Sequence, residues 1–151
     1  MRIGFVANDF LYDNGRLRPG GCSYYRCMLP MNVVKQHRTA FGPPAFTSEY
    51  GFGVRIAKEQ AQFGFDVIVM KMLMDRWIPK YMKIAQSLGQ KIIVDVDDHY
   101  DGLHEANLAY DRTDPAKNKI TNREHYRAVI EQADMLTVST PFLAEYYAPF
   151  V

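Results

Sequence analysis

Carboxylates cluster directly after the most apolar stretch of the sequence. The run Lys91-Ile92-Ile93-Val94-Asp95-Val96 predicts a buried strand, and Asp97, Asp98 and His99 follow it. One base, Arg112, stands among seven acids at positions 95–114, which are Asp95, Asp97, Asp98, Asp101, Glu105, Asp111 and Asp114. Burying several carboxylates costs free energy unless a cation or hydrogen-bond donors satisfy them. The cluster therefore predicts a site for a metal ion, a sugar or a basic partner.

Three interpretations of these acids stay open. Divalent cations prefer oxygen ligands, and D-x-D after a strand occurs where a metal holds a nucleotide diphosphate. The same pattern is typical of phosphatases of the haloacid dehalogenase type, in which Asp95 would be the nucleophile and Asp97 the acid. The residues after Asp95 lack the second Asp-Asp pair that would complete their magnesium site. The third interpretation is a solvated acidic loop. His99, at the same strand end, would be a base, a hydrogen-bond donor to a phosphate or a surface residue.

A double glycine precedes the first predicted helix. Gly20 and Gly21 allow the backbone to approach a ligand, and the helix after them offers free N–H groups and a positive dipole end to a phosphate. The local sequence, Arg18-Pro19-Gly20-Gly21-Cys22-Ser23, is not the fingerprint G-x-G-x-x-G and lacks the lysine of a Walker motif. The glycines therefore indicate either a cofactor-binding or phosphate-binding loop or a turn without a ligand.

Five further side chains have candidate roles. Ser139 and Thr140 precede Pro141, so their hydroxyls are expected to cap the last helix, with ligand contact as an added role. Arg26 would meet the carboxylates, bind an anionic ligand or remain solvated. The two cysteines, Cys22 and Cys27, are predicted to be buried free thiols, because two cysteines five apart on a helix do not face each other. The pair is not expected to bind a structural metal ion, because the histidines are distant in sequence, and no residue is assigned as a metal ligand.

Strands alternate with helices along the chain, which predicts an α/β fold with a Rossmann-like parallel sheet and helices on both faces. The predicted strands are 2–7, 66–71, 91–96 and 134–139, and the predicted helices are 23–35, 54–63, 76–88, 121–132 and one that begins at Pro141. Pro30 predicts a kink in the first helix. The predicted loops are 8–21, 38–53 and 97–120. The loop over 38–53 is expected to contain at most one irregular strand. Because ligands bind at the carboxyl ends of parallel strands, Gly20, Gly21, Asp97 and Ser139 are expected at one edge of the sheet.

The composition is that of one soluble globular domain. The chain has 151 residues, of which 48% are hydrophobic and 23% charged. Its 18 Lys and Arg against 17 Asp and Glu give a net charge of +1, which argues against general nucleic-acid binding. No apolar run approaches the roughly 20 residues of a membrane span, and none resembles a signal peptide. We therefore expect a cytoplasmic protein.

Three segments together resemble the N-terminal, acceptor-side half of GT-B fold glycosyltransferases related to retaining family 4. The segments are Gly20-Gly21-Cys22-Ser23-Tyr24-Tyr25-Arg26 with Pro30, Ile92-Ile93-Val94-Asp95-Val96-Asp97-Asp98, and Ala133-Asp134-Met135-Leu136-Thr137-Val138-Ser139-Thr140-Pro141. The resemblance implies that Gly20 and Gly21 lie near the donor phosphates and that Asp97, Asp98 and His99 lie near the transferred sugar or the acceptor. It places Ser139 and Thr140 at the cleft.

The resemblance also implies a nucleotide-sugar donor as substrate, no bound cofactor, and a sugar, lipid or protein acceptor. The family's second half, which binds the nucleotide sugar, is missing from this sequence. We therefore expect an isolated chain that does not complete sugar transfer and that self-associates or binds the missing half. The alternatives are a non-catalytic binding module of the same fold and a small magnesium-dependent phosphatase that uses Asp95 and Asp97.

Overall fold

The computed structural model describes residues 1–46, 52–54, 64–107, 109–110 and 122–151. The described strands are β1 (Arg2–Ala7), β2 (Phe10–Asp13), β3 (Arg16–Pro19), β4 (Arg38–Gly42), β5 (Pro44–Phe46), β6 (Phe52–Val54), β7 (Val67–Lys71), β8 (Lys91–Val96) and β9 (Met135–Val138). The main sheet has the order β4-β1-β7-β8-β9, and all of its neighbouring strands are parallel. The predicted Rossmann-like α/β fold is confirmed.

The strand order reverses between β1 and β7. From β1 the chain first adds β4 on one side and then returns to add β7, β8 and β9 on the other side. At such a reversal the connections leave neighbouring strands in opposite directions, and a crevice opens at the carboxyl ends of those strands. In this chain that crevice lies beyond Ala7 and Lys71.

Helices cover both faces of the sheet. The described helices are α1 (Gly21–Ser23), a π-helix (Tyr24–Met28), α2 (Leu29–Val33), α3 (Ile78–Ser87), α4 (Asn122–Glu131) and α5 (Pro141–Tyr147). On one face Ile3, Phe5 and Ala7 of β1 pack with Cys27. Side chains of the opposite parity, such as Val6, pack on the other face in a larger core with α3, α4 and α5. This alternation is what a strand buried on both faces requires.

The first three helical elements form one continuous segment, since Tyr24 and Met28 at their junctions have right-handed helical dihedral angles. We call this segment the 21–33 helix. Within it the N–H of Leu29 donates to the carbonyl of Tyr24, five residues back. Pro30 has no N–H to donate and its ring needs room, so the wider π turn occupies the place of the predicted kink.

The prediction of a loop over residues 8–21 was wrong, because β2 and β3 form an antiparallel hairpin. Asn14 (φ 49°) and Gly15 (φ 75°) both have left-handed backbone at its tip. A two-residue turn with positive φ at both positions matches the twist of a hairpin, and Asn-Gly is its preferred sequence. The Asn-Gly pair was the available signal, but the many turn-forming residues on both sides of the short strands favoured a loop.

The described parts of the predicted loop over residues 38–53 are also more regular than predicted. Arg38–Gly42 is a full edge strand that pairs with β1 from Arg2↔Arg38 to Val6↔Gly42, while β5 and β6 pair with each other. The sequence of this edge strand, Arg-Thr-Ala-Phe-Gly, is short and begins with a charged residue, as edge strands often do, so it gave no clear strand pattern. The helix predicted over residues 54–63 falls almost entirely outside the described residues, and Asp111, Arg112 and Asp114 lie outside them as well.

No helix in the described ranges has both the length and the apolar character needed to cross a membrane.

Candidate functional site

The spacing of Asp95 and Asp97 places both carboxylates on the same side of the sheet. Alternate residues of an extended chain point the same way, and Val96 between them is fully buried on the other side. Each carboxylate meets one cation from a different element. Arg26 of the 21–33 helix contacts Asp95, and Lys71 at the end of β7 contacts Asp97. The acidic strand end is therefore a paired charge network, in which two acids are matched by two bases.

Asp95 is fully occupied by its neighbours. The Arg26 guanidinium donates from Nε and from Nη2, each at 2.7 Å, to the two carboxylate oxygens, and the Thr137 hydroxyl donates to Oδ1 at 2.6 Å. Hydrogen bonding to Asp95 raises the pKa of Arg26. A bidentate pair of this kind ties the 21–33 helix to β8 and β9. Because both oxygens are engaged, the geometry argues against Asp95 as a nucleophile.

Asp97 is paired with a buried lysine. Lys71 Nζ lies 3.0 Å from Asp97 Oδ2, and the exposed fractions of the two side chains are 1% and 17%. The Tyr100 hydroxyl donates to Asp97 Oδ1 at 3.0 Å. Burial alone would raise the pKa of Asp97, but the Lys71 charge and hydrogen bonds from Lys71, Tyr100 and Cys22 outweigh it and lower that pKa below its ordinary value. Asp97 is therefore held ionised at neutral pH.

Tyr100 is affected in the opposite direction. Burial, followed by the nearby charge of Asp97 and the hydrogen bond to it, raises the pKa of Tyr100 far above its ordinary value. A phenol with so high a pKa keeps its proton and acts as a hydrogen-bond donor. Asp97 is thus oriented by a neutral hydroxyl on one oxygen and by an ammonium on the other.

These groups line a cleft of about 630 Å³ at the reversal point between β1 and β7. Its walls are the segment after β1, the start of the 21–33 helix, the end of β7 and the segment after β8. The lining includes Gly21, Lys71, Asp97 and Asp98, but neither Asp95 nor His99 is among the described lining residues. Gly21 and Asp97, which were predicted at one edge of the sheet, both line this cleft. The volume is that of a small-molecule site.

Asp9 occupies the space at the start of the 21–33 helix. Its Oδ2 accepts from the N–H of Ser23 at 3.1 Å, and its carbonyl accepts from the N–H of Gly20 at 2.8 Å. A Cβ placed on Gly20 would lie 1.9 Å from Asp9 Oδ1, whereas one on Gly21 would meet nothing within 4 Å. Gly20 has φ −69° and ψ 174°, a conformation that any residue adopts. Its glycine is therefore required by the Asp9 carboxylate and not by the backbone.

The end of β7 carries local strain beside the cleft. Met72 has φ 53°, which is uncommon for a residue with a side chain. Its carbonyl accepts from the side-chain amide of Asn8 at 3.4 Å, so the segments after β1 and β7 are linked across the cleft. Such conformations cost of order 1–3 kcal/mol and persist only where the surrounding structure holds them. The strained residue lies at the same edge as Asp97.

His99 lies apart from this cleft in an aromatic cluster. Its ring contacts those of Tyr146, with centroids 4.2 Å apart, and Phe142, at 5.4 Å, and a Cβ on Gly102 would lie 2.4 Å from its Nδ1. Its Nε2 is buried and has no hydrogen-bond partner among the described residues. Asp97 and Asp98 are therefore brought together in the cleft, but the adjacent histidine is turned toward α5.

Ser139 and Thr140 stand at the same edge in local roles. The Thr140 hydroxyl accepts from the N–H of Leu143 at 3.2 Å, so the capping of α5 predicted for Thr140 is confirmed, but the capping predicted for Ser139 was wrong. The Ser139 hydroxyl donates to the carbonyl of Asp97 at 3.2 Å. That contact joins the end of β9 to the segment that carries the site.

The two cysteines have different environments. Cys27 is fully buried against β1, and burial, with the nearby charge of Asp95 as the next cause, raises its pKa to about 12. Cys22 lines the cleft and is exposed, so the prediction that it is buried was wrong. Its place at the first turn of the helix, facing the cleft, explains the exposure. Partial burial and the carboxylates of Asp97 and Asp9 raise the pKa of Cys22 despite the opposing charge of Lys71.

Acids at the other edge of the sheet have a structural function. Asp134, which precedes β9, accepts from the N–H of Ile92 at 2.9 Å and from the side chain of Gln86 at 3.0 Å, and its Oδ1 lies 2.8 Å from Lys91 Nζ. It thereby joins α3, β8 and β9. Asp134, before its strand, fixes the scaffold, whereas Asp9, Asp97 and Asp98, after their strands, line the cleft.

Sequence reasoning missed Lys71 and Asp9. Lys71 ends a strand of otherwise apolar residues. Because a buried charge must be paired, its position could have predicted an ion pair at this strand end. Asp9 follows β1 by two residues and could be linked to the glycines only in three dimensions.

The described part of the chain contains no group of three or more His, Cys, Asp or Glu placed to hold a metal ion.

Comparison with known proteins adds no family to this geometry. No protein-family model matches the chain, and searches of curated proteins and of solved structures found no match.

Proposed function

We propose that the chain is the acceptor-side half of a GT-B fold glycosyltransferase, which transfers a sugar from a nucleotide-sugar donor to a hydroxyl-bearing acceptor. The observation that supports it best is the position of Asp97, an ionised carboxylate on the wall of a cleft at the reversal point of a parallel sheet. The resemblance of three sequence segments to family 4 supplies the reaction class.

Asp97 is suited to bind and orient a hydroxyl group. Its lowered pKa keeps it ionised but makes it a weak proton acceptor, so it is a poor general base whose charged oxygens accept hydrogen bonds. Lys71 and Tyr100 fix the orientation of the carboxylate. Asp98 beside it is exposed and supplies a second acceptor to the cleft. In this proposal the two carboxylates position the acceptor hydroxyl for attack on a sugar held by the second half.

The nucleotide-sugar-binding half is the expected partner, in the same protein or as a separate chain. Tyr24 and Tyr25, at the start of the 21–33 helix, are 40% and 67% exposed, and aromatic residues are common anchors of interfaces. Tyr100 is not part of this exposed surface, because only 4% of it is exposed. Sedimentation at several concentrations should show self-association of the chain. A monomer at every concentration, with no second half recovered with it, would contradict this part of the proposal.

Acceptor binding can be tested with the chain itself. Titration with a panel of methyl glycosides, followed by ¹⁵N amide shifts, should move the signals of Gly21, Cys22 and Asp98, and nucleotide sugars should bind weakly or not at all. Asp98→Asn, a change on an exposed side chain, should weaken glycoside binding about tenfold. Asp134→Asn, at the opposite edge, should leave the affinity unchanged. Glycosides that shift no cleft residue would count against the proposal.

Sugar transfer itself requires the second half. Transfer from labelled nucleotide sugars should be measured with the full protein or with the two halves together. Asp98→Asn should then lower turnover while the protein remains folded. If turnover is unchanged in Asp98→Asn, the assignment of acceptor binding to this cleft is wrong.

A further inference from the structure

The cleft presents more negative than positive charge. Its described lining includes the carboxylates of Asp9, Asp97 and Asp98 and the ammonium group of Lys71. That ammonium is buried and already paired with Asp97. A ligand that enters therefore meets two carboxylates without a matching cation in the lining.

The place where a helix start would receive an anion is filled by the protein's own carboxylate. Free N–H groups and the positive dipole end attract phosphates to helix starts. Here the N–H of Ser23 already donates to Asp9 Oδ2, and Gly20 provides the space that the Asp9 carboxylate needs. A glycine pair before a helix by itself indicates a phosphate-binding loop. Here the glycine at position 20 is explained by the Asp9 carboxylate, an anion that belongs to the protein.

We propose that Asp9 acts as a built-in anion that excludes phosphate groups from this cleft, so that the cleft selects an uncharged, hydroxyl-bearing ligand. The ligand class rests on the proposed glycosyltransferase function, in which this half binds the acceptor. The exclusion of phosphate stands on the Asp9 geometry alone. The donor phosphates, which the resemblance to family 4 places near Gly20 and Gly21, are in this proposal bound away from the helix start, and Asp9 determines the specificity of the acceptor site.

The apolar part of the lining agrees with this ligand class. Phe10 and Leu11, of the hairpin, and Met72 lie on the walls beside the carboxylates. Small-molecule sites commonly combine apolar walls with a few polar groups that fix orientation. A sugar or polyol offers hydroxyl donors to Asp97 and Asp98 and C–H surfaces to these side chains.

Asp9→Asn provides the test, because an asparagine keeps an oxygen that can accept from Ser23 while it removes the charge. Asp13→Asn is the matched control, since it changes the net charge equally, and Asp13 pairs with Arg18 on the hairpin outside the described lining of the cleft. Each variant and the unaltered chain would be titrated with inorganic phosphate and pyrophosphate at constant ionic strength. The ¹⁵N amide shifts of Gly21, Cys22 and Ser23 report binding at the helix start.

The unaltered chain and Asp13→Asn should show no saturable shift with millimolar phosphate or pyrophosphate. Asp9→Asn should bind at least one of them at least tenfold more tightly at these three amides. Saturable binding to the unaltered chain at the same amides would overturn the inference, and so would the absence of any gain in a folded Asp9→Asn protein. Thermal unfolding verifies that the variant is folded, and Asp9→Ser, which also keeps a capping oxygen, replaces it if it is not.

A parallel titration with methyl glycosides separates the two proposals. If phosphate binding appears only in Asp9→Asn but no glycoside binds, the exclusion of anions is correct and the glycosyltransferase proposal fails. If phosphate binds the unaltered chain while glycosides also bind at Asp98, the exclusion is wrong and the glycosyltransferase proposal is retained.

Discussion

Lys71 and Asp97 join the carboxyl ends of adjacent strands through an ion pair of 3.0 Å. In the register of the sheet Lys71 lies opposite Asp95, yet its ammonium group contacts Asp97, just beyond the end of β8. Asp95 is instead occupied by Arg26. Two carboxylates two residues apart are therefore divided between two cations, and one of them, Asp97, is left facing the cleft.

Removal of the Lys71 charge should destabilise the fold strongly. Lys71→Met leaves the Asp97 carboxylate without its cation, and breaking a buried pair in this way costs about 3–5 kcal/mol of unfolding free energy. Lys91→Met is the matched control, because Lys91 pairs with Asp134 at an exposed position, where a salt bridge contributes about 0–1 kcal/mol. Urea denaturation measures both values.

The double variant Lys71→Met with Asp97→Asn tests the cause of that loss. With neither charge present, no unpaired ion remains at the end of β8, so most of the stability lost in Lys71→Met should return. A double variant as unstable as Lys71→Met alone would show that packing of the lysine side chain, rather than its charge, is responsible.

Stability should depend on pH through Asp97. Its pKa in the folded protein is below its ordinary value, so the folded state favours the ionised form. This contribution is present in full above the unfolded pKa, about 3.9, and is lost as the pH falls through the folded pKa. The stability difference between the unaltered chain and Asp97→Asn should therefore be larger at pH 7 than at pH 3. Urea titrations across this range measure it, and a difference that is constant with pH would contradict the expectation.

The two glycines should respond oppositely to alanine. Gly20→Ala places a Cβ 1.9 Å from Asp9 Oδ1 and should cost about 1–3 kcal/mol, as overpacking does. Gly21→Ala enters open space and should be neutral or stabilise the fold by up to about 1 kcal/mol. Thermal or urea unfolding distinguishes them.

Asp9→Ala should make Gly20→Ala less costly, because the alanine at position 9 removes the atoms that collide with the new Cβ. Equal costs of Gly20→Ala with and without the Asp9 carboxylate would show that the clash is not the reason for the glycine.

The sequence predicted the parallel sheet well because its buried strands are continuous apolar runs bounded by polar residues. Lys91–Val96 was located to the residue for this reason. Arg38–Gly42 was missed because an edge strand is stabilised by its partner more than by its own side chains. The 10–19 hairpin was missed because its two-residue turn, Asn14-Gly15, was interpreted as part of a loop.

The site was predicted in outline but not in its pairings. A carboxylate at a strand end can be identified from periodicity, since Asp95 and Asp97 follow an apolar run. The partner of each one is decided by which helix or strand lies beside it in space. Arg26 is 69 residues from Asp95 in sequence. Asp9 and Gly20 form a single unit only after the hairpin between them folds. Such long-range relations leave no local pattern in the sequence.

The two thiols should differ in reactivity, and Cys22 should report on the cleft. Cys27 is fully buried with a pKa of about 12, so a thiol-specific reagent at pH 8 should modify it only after unfolding. Cys22 is exposed at the cleft and should react in the folded protein, although more slowly than a free thiol, because its pKa is raised. Labelling followed by mass spectrometry, with Cys22→Ser as the control, measures both rates.

A ligand bound beside Asp97 should slow modification of Cys22, since both residues line the cleft. The same ligand should leave Cys27 unreactive. Modification of Cys27 at the rate of Cys22 would contradict the packing of the 21–33 helix on β1.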